Sequence, residues 1–188
     1  MKIRRPQLIK ATAQWLAALG YPNNAAARTT TRRVADLWIK HLLAGEDIDL
    51  SSIVKPLPSA NDGIVALCDL RVHLVCPHHL TVAFGVAQVA YVPQGFVAPL
   101  GQISRLVSAA TSRLVLQESA VQDIAQHLAA SLKAAAVLVS LEATHPCHAI
   151  PIPQAHAAKL VSYAFVGNKK ERRALMEALR RSTTRRSR

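Results

Sequence analysis

The sequence predicts one α+β domain with an antiparallel sheet, helices on one face of that sheet, and a helical arm in front of it. Length and composition support a single domain, because 188 residues that are 51% hydrophobic suffice for one full core. The spacing of apolar residues changes from helical to alternating after residue 62 and returns to helical near residue 103. The sequence contains no internal repeat and no linker that would separate two cores.

Two amphipathic helices form the predicted arm. The first stops at Gly20 and Pro22, which break helices, and the second stops before Gly45. The apolar residues that line one face of each helix are Leu8, Ala11, Trp15 and Leu19, then Val34, Leu37, Trp38 and Leu42. The stretch 46–62 contains several Ser and Pro residues and is predicted to be a loop. We therefore assign residues 1–45 to a helical arm.

Strands and core-facing helices follow the loop. Apolar runs, alternating or rich in Val and Ala, predict strands at 64–74, 80–92, 137–143 and 160–166, with a Pro-broken edge strand near 150–153. Helical spacing predicts two core-facing helices at 103–114 and 121–132 and a last helix at 170–179. Residues 46–181 then form the main domain, and residues 182–188 form a basic disordered tail.

The basic charge is concentrated at the C-terminal end of the chain. Residues 169–188 hold nine Lys or Arg and two Glu, so they carry most of the net charge of +12. Basic tails of this kind are commonly solvated, and an aromatic content of only 4% argues against a base-stacking surface. We therefore expect no nucleic-acid partner, and polyanion binding by the tail stays open as a third hypothesis.

Neither a membrane span nor a disulfide framework is predicted. No stretch approaches the roughly 18 uncharged apolar residues of a membrane span, and the N-terminus lacks the apolar core of a signal peptide. We therefore expect a soluble, cytoplasmic protein without a membrane partner. Three cysteines, Cys68, Cys76 and Cys147, are too few and too unevenly spaced for a disulfide framework, so metal binding or burial explains them better.

Two short motifs could hold a metal ion. Cys76-Pro77-His78-His79 follows the first predicted strand of the main domain, and His145-Pro146-Cys147 follows the strand at 137–143. Two thiolates and one imidazole would give zinc three protein ligands and leave a fourth position for water. The remaining histidines could transfer protons beside it. A Cys-x-x-His motif is common by chance, so buried cysteines and surface histidines are an equally good explanation at this point.

Gln117 and Glu118 lie at the junction of the two core-facing helices. An amide beside a carboxylate could meet the donor and acceptor edge of a ligand. Glu118 could also simply stabilise the N-terminus of the second helix, because acidic residues are favoured there. Local sequence alone favours that second interpretation.

Five motifs occur in a fixed order along the chain. They are Thr31-Arg32-Arg33-Val34-Ala35, Cys76-x-His78-His79, Ala90-Tyr91-Val92-Pro93, Leu116-Gln117-Glu118 and Glu142-Ala143-Thr144-His145-x-Cys147. In this order they resemble the GTP cyclohydrolase I family of zinc enzymes, which open the imidazole ring of GTP to make dihydroneopterin triphosphate. The resemblance runs from about residue 30 to residue 181.

The resemblance implies a role for eight residues and a form of assembly. It implies zinc ligands at Cys76, His79 and Cys147, catalytic histidines at His78 and His145, guanine contacts at Gln117 and Glu118, and a triphosphate contact at Arg105. It also implies the tunnelling fold, a catalytic domain over 46–181, and a toroidal homo-oligomer, commonly a decamer, with active sites at subunit interfaces.

The chain departs from the family where triphosphate is bound. Pro99-Leu100-Gly101-Gln102 stands in place of Gly-Leu-Ser-Lys, and Pro151-Ile152 stands in place of Arg-Gly. Pro77 and Ser119 replace an acidic residue and an arginine. Each lost cationic contact removes about 1.5–3 kcal/mol of phosphate binding. Basic residues elsewhere, such as Lys159 or Arg113, could replace them.

Two functions follow from the resemblance and its departures. The first is a zinc-dependent hydrolase that opens the imidazole ring of GTP or of a related, less phosphorylated purine nucleotide or nucleoside. The alternative is a non-catalytic family member that binds zinc and a purine.

Overall fold

The computed structural model of the chain describes residues 3–60 and 62–184. Its helices are α1 (Arg5–Ala18), α2 (Ala25–Leu37), α3 (Leu100–Thr111), α4 (Gln117–Leu132), α5 (Pro146–Ala149) and α6 (Arg172–Thr184). Its strands are β1 (Leu57–Pro58), β2 (Val65–Val75), β3 (Val82–Val92), β4 (Phe96–Val97), β5 (Ala136–Thr144) and β6 (Leu160–Gly167). Short 3-10 turns occupy Leu50–Ser52, Pro153–Ala155 and Lys169–Glu171.

Four strands form one antiparallel sheet in the order β2-β3-β5-β6. β1 and β4 pair separately as a two-stranded ribbon. An irregularity between Leu67 and Leu70 interrupts the pairing of β2 with β3, and Asp69 in this stretch has a left-handed backbone with a φ of 63°. The predicted α+β class with an antiparallel sheet is confirmed.

Different helices cover the two faces of the sheet. α3 and α4 pack on one face, where Leu74 and Leu128 are fully buried. α6 packs on the other face, where Leu175 is buried with Ala90 and Leu138. The prediction of helices on one face therefore holds for α3 and α4 but not for α6, because the apolar stripe of α6 finds its partners on the second face.

The predicted arm contains two helices that pack on each other. Arg5 Nε donates to Asp36 Oδ1 at 2.9 Å, and this hydrogen bond lowers the pKa of the Asp36 carboxyl. α2 ends at Leu37 and continues as a single π-helical turn over Trp38–Leu42. Within the part of the chain that the structure describes, no helix is both long and apolar enough to cross a bilayer.

Two segments near the C-terminal end differ from their predictions. No edge strand forms at 150–153, because the prolines at 151 and 153 have no N–H group to donate to a strand ladder; the stretch instead links α5 to a 3-10 turn. α6 extends to Thr184, which lies inside the predicted disordered tail 182–188. Residues 185–188 are outside the described residues.

Candidate functional site

A tight turn between β2 and β3 presents three of the candidate residues. The turn is closed by the N–H of Cys76, which donates to the Thr81 carbonyl at 2.9 Å, and by the N–H of Leu80, which donates to the Cys76 carbonyl at 2.9 Å. Leu80 has a left-handed backbone with a φ of 54°, which is uncommon for a residue with a side chain. The result is a compact loop in which Cys76 is buried while His78 and His79 are exposed.

The end of β5 supplies two further candidates. His145 follows the strand directly, and its carbonyl oxygen accepts the N–H groups of His148 and Ala149 at 3.0 Å each. Pro146 occupies the first position of α5, where its missing N–H costs no helical hydrogen bond. The single turn of α5 then carries Cys147 to the β2–β3 turn.

The linker between α3 and α4 is attached to the end of β2. The N–H of Val75 donates to the Arg113 carbonyl at 3.1 Å, and the N–H of Val115 donates to the Val75 carbonyl at 3.2 Å. Val75 directly precedes Cys76, and α4 begins two residues after Val115. This attachment places Gln117 and Glu118, at the start of α4, near Cys76.

Cys76, His79 and Cys147 form a cluster of potential metal ligands. Their ligand atoms all lie within 4.8 Å of one another. The two sulfurs are 3.9 Å apart, and Cys76 Sγ is 3.7 Å from His79 Nδ1. Tetrahedral zinc with Zn–S bonds of about 2.3 Å would set its sulfurs about 3.8 Å apart. Spacing and donor type therefore both fit zinc, since thiolates and imidazole disfavour harder ions.

His145 is held beside this cluster by Gln117. Its Nε2 atom lies 2.8 Å from Gln117 Oε1, and Gln117 is only 1% exposed. Burial lowers the pKa of His145; the nearby Glu118 carboxylate raises it, and His148 lowers it further. The net shift is downward, which favours the neutral imidazole of His145.

A cavity of about 440 Å³ joins these elements. Its volume is in the usual range for a small-molecule site. Seven of the eight predicted site residues border the cavity, and Glu118 is an exposed member of its wall. Arg105 is the exception. It lies on the exposed side of α3 and does not border the cavity within the described residues of a single chain.

Two further side chains with titratable groups border the cavity. Lys159 does so while its Nζ pairs with Glu142 Oε1 at 2.6 Å. Arg113, the other cation that sequence analysis considered as a replacement, instead donates to the carbonyls of Ala109 and Ile48 at 2.9 and 2.7 Å.

The second of these side chains is His148, which no motif in the sequence pointed to. It follows His145 by three residues across the single turn of α5, and both histidines border the cavity. Residues three apart share a face of a helical turn, so this spacing was the available signal.

Comparison with known proteins assigns the chain to a family. The family model described as GTP cyclohydrolase I matches residues 8–184. The chain belongs to the GTP cyclohydrolase I family. Two separate segments of the chain, 76–79 and 145–148, supply the cluster of potential metal ligands and the histidines around it.

Individual relatives span most of the chain. GTP cyclohydrolase 1 of Hyperthermus butylicus is 36% identical over 151 residues, which are 80% of this chain and 76% of the relative. GTP cyclohydrolase 1 of Bacillus subtilis strain 168 is 31% identical over 169 residues, 88% of each chain. Among solved structures, the apo form of the archaeosine synthase QueF-Like superimposes on 58% of this chain and 98% of its own, with a TM-score of 0.48 and 22% identity.

Proposed function

We propose that this protein is a zinc-dependent hydrolase that opens the imidazole ring of GTP or a related purine at C8 and releases formate. One observation carries the proposal: the cluster of Cys76, His79 and Cys147 shares a cavity with His78 and His145. A protein that only bound zinc and a purine would need the metal donors but would have little use for two further imidazoles around them.

The reaction requires both hydrolysis and proton transfer. Removal of C8 breaks its bonds to N7 and N9 and consumes two waters, which provide both oxygens of formic acid and the protons left on the two nitrogens. A zinc ion held by Cys76, His79 and Cys147 would supply Lewis acidity for this hydrolysis.

The two histidines supply the proton transfers. Burial lowers the pKa of His145 and so favours its neutral form, which can accept a proton. His78 is exposed at the cavity and can deliver a proton to a purine nitrogen. Both roles require only that the substrate occupies the cavity that the two imidazoles border.

Two charged side chains favour a guanine nucleotide as the substrate. An ionised carboxylate only accepts hydrogen bonds, so Glu118 suits the N1–H and 2-amino donors of guanine. Lys159 is the cation that borders the cavity and is available for phosphate once it leaves Glu142. It would take the place of the lysine and arginine that the family has where this chain has Gln102 and Pro151.

We propose that the active assembly is a homo-oligomer, as the toroids of the family are. Arg105 does not border the cavity among the described residues of its own chain, so we expect a second chain to bring its α3 to the cavity. β2 and β6 are the edge strands of the sheet, and Phe84 and Tyr163 are 65% and 55% exposed. Unpaired strand edges and large exposed aromatics are typical of interfaces. Light scattering coupled to size-exclusion chromatography measures the assembly directly.

Formate release tests the proposed reaction. Zinc-loaded protein is offered GTP, GMP and guanosine in parallel, with the His78→Ala variant as control. We expect formate from at least one of the three, and loss of release in the variant with zinc still bound. Release from GTP alone would mean that the protein binds the triphosphate. Release only from GMP or guanosine would mean that the missing cations have changed the substrate specificity. No release from any of them, with zinc bound, would favour the non-catalytic binding protein.

A further inference from the structure

The side chain of Gln117 is hydrogen-bonded at both ends. Its Nε2 lies 2.8 Å from the Leu141 carbonyl oxygen, 3.1 Å from the Leu160 carbonyl oxygen and 3.2 Å from Ser162 Oγ. Its Oε1 lies 2.8 Å from His145 Nε2. Gln117 therefore links the start of α4 to β5, to β6 and to the candidate catalytic histidine.

The surrounding acceptors determine which end of the amide faces which group. Carbonyl oxygens can only accept, so the two carbonyls at Leu141 and Leu160 require the NH2 end of Gln117 on their side. The amide oxygen must then face His145. Because an amide oxygen also only accepts, the proton of this hydrogen bond belongs to His145 Nε2.

We infer that Gln117 is a positioning residue that holds His145 as its Nε2–H tautomer and leaves Nδ1 as the proton acceptor at the cavity. A neutral imidazole carries one ring proton, so protonation at Nε2 leaves the lone pair on Nδ1. Among the described residues 3–60 and 62–184, no side chain or backbone group hydrogen-bonds to that nitrogen. The inference rests on the proposed function only in making this lone pair useful to a reaction.

We assign this role to the Gln117 side chain instead of the guanine contact that the family resemblance implied. Both hydrogens and the oxygen of its amide are engaged within the chain, so the side chain borders the cavity without a free N–H group for a ligand. For Glu118, which is exposed at the cavity, the contact with the purine stays a prediction. Gln117 and Glu118 are thus neighbours in sequence with different tasks.

The tautomer can be measured without any turnover. Solid-state 15N NMR on zinc-loaded protein labelled at histidine distinguishes protonated from unprotonated ring nitrogens and tolerates a large assembly. Spectra are recorded at alkaline pH, where free imidazole is neutral. The signals of His145 are assigned by their loss in the His145→Gln variant. We expect Nε2 to be protonated and Nδ1 unprotonated, and a protonated Nδ1 in the wild-type protein would overturn the inference.

The Gln117→Met variant tests the cause of this tautomer. Methionine keeps a similar volume but cannot accept the Nε2–H, so we expect His145 to become a mixture of tautomers. Gln126→Met, on the exposed side of the same helix, is the matched control and should leave the spectrum unchanged. An unmixed Nε2–H tautomer in folded Gln117→Met would contradict the inference.

Kinetics then separate positioning from substrate binding. With the substrate that releases formate, Gln117→Met should lower kcat about 10–100-fold, as commonly happens when a hydrogen-bond partner that orients an active-site side chain is lost. The variant should leave KM within about threefold. A rise in KM at constant kcat would instead assign Gln117 to substrate binding. If no substrate releases formate, the proposed function fails while the spectra still decide the inference.

Discussion

The proposed metal side and the proposed phosphate side of the cavity, called the metal side and the phosphate side below, are built in different ways. On the metal side, Cys76, His79 and Cys147 converge within one chain, held by a tight turn and by the single helical turn of α5. On the phosphate side, Lys159 is the only described cation bordering the cavity, and Arg105 lies outside it. A site made of short side chains on closed turns can be complete within a single chain. We expect a site for a long, charged group to include flexible side chains and residues of neighbouring chains.

Removal of one metal ligand is expected to have the largest effect. Cys147→Ser leaves two of the three donors, so the variant should lose bound zinc on dialysis and lose formate release to background. Zinc content by mass spectrometry and formate release measure the two losses. Cys68→Ser is the matched control, because Cys68 lies in β2 outside the cluster and should leave both quantities unchanged. Full zinc content in Cys147→Ser would mean that other residues hold the metal.

Crowding the strands that support the cavity should have the next largest effect. A Cβ at Gly85 would clash with the Glu142 carbonyl oxygen and the Ala143 side chain, both on β5. Gly85→Ala should therefore separate β3 from β5, lower the free energy of unfolding by about 1–3 kcal/mol, and reduce formate release. His145 and Cys147 follow β5, so the metal side of the cavity depends on this pairing.

Gly101→Ala is the matched control for Gly85→Ala. Gly101 lies in α3, and a Cβ there meets no atom within 4 Å. Alanine in a helix is more stable than glycine by about 0.5–1 kcal/mol, so this variant should unfold at the same or a higher temperature. Chemical denaturation of both variants checks the pair. Equal stability of the two would mean that the sheet tolerates a wider separation of β3 and β5.

Much of the metal side could be predicted from the sequence. Cys76, His78 and His79 follow an alternating strand and Cys147 follows another, but this spacing alone left a metal site and plain burial as equally good explanations. The ordered motifs that resemble the GTP cyclohydrolase I family assigned the three ligands. The turn over residues 76–81 is closed by hydrogen bonds between residues that are close in sequence. The residue types in this segment favour such a turn.

The remaining features depend on contacts between distant segments. The apolar stripe of α6 predicts that the helix packs on a sheet, but it does not predict which face of the sheet the helix covers. Gln117 and Glu118 are adjacent polar residues, and only the positions of β5 and β6 decide that one is buried against Leu141 and Leu160 while the other is exposed. Lys159 reaches the cavity because β6 begins beside it, a placement that no local pattern encodes.

The smallest effect is expected from Lys159→Ala, and it tests the phosphate side directly. The ion pair with Glu142 is largely exposed, so its loss should barely change stability. If Lys159 binds phosphate, the variant should raise KM for a phosphorylated substrate about 10–100-fold, which corresponds to one charge-assisted hydrogen bond of about 1.5–3 kcal/mol. The KM for guanosine, which has no phosphate, should stay unchanged. Steady-state kinetics with both substrates measure this difference.

Arg105→Ala completes the comparison between the two sides. A rise in KM for the phosphorylated substrate in this variant, with none in Lys159→Ala, would assign phosphate binding to a neighbouring chain, because Arg105 does not border the cavity of its own chain. A rise in Lys159→Ala alone would make the phosphate side as self-contained as the metal side. Equal rises in both would mean that one substrate phosphate group is shared between cations of two chains, and dilution of the assembly should then weaken binding in the wild-type protein as well.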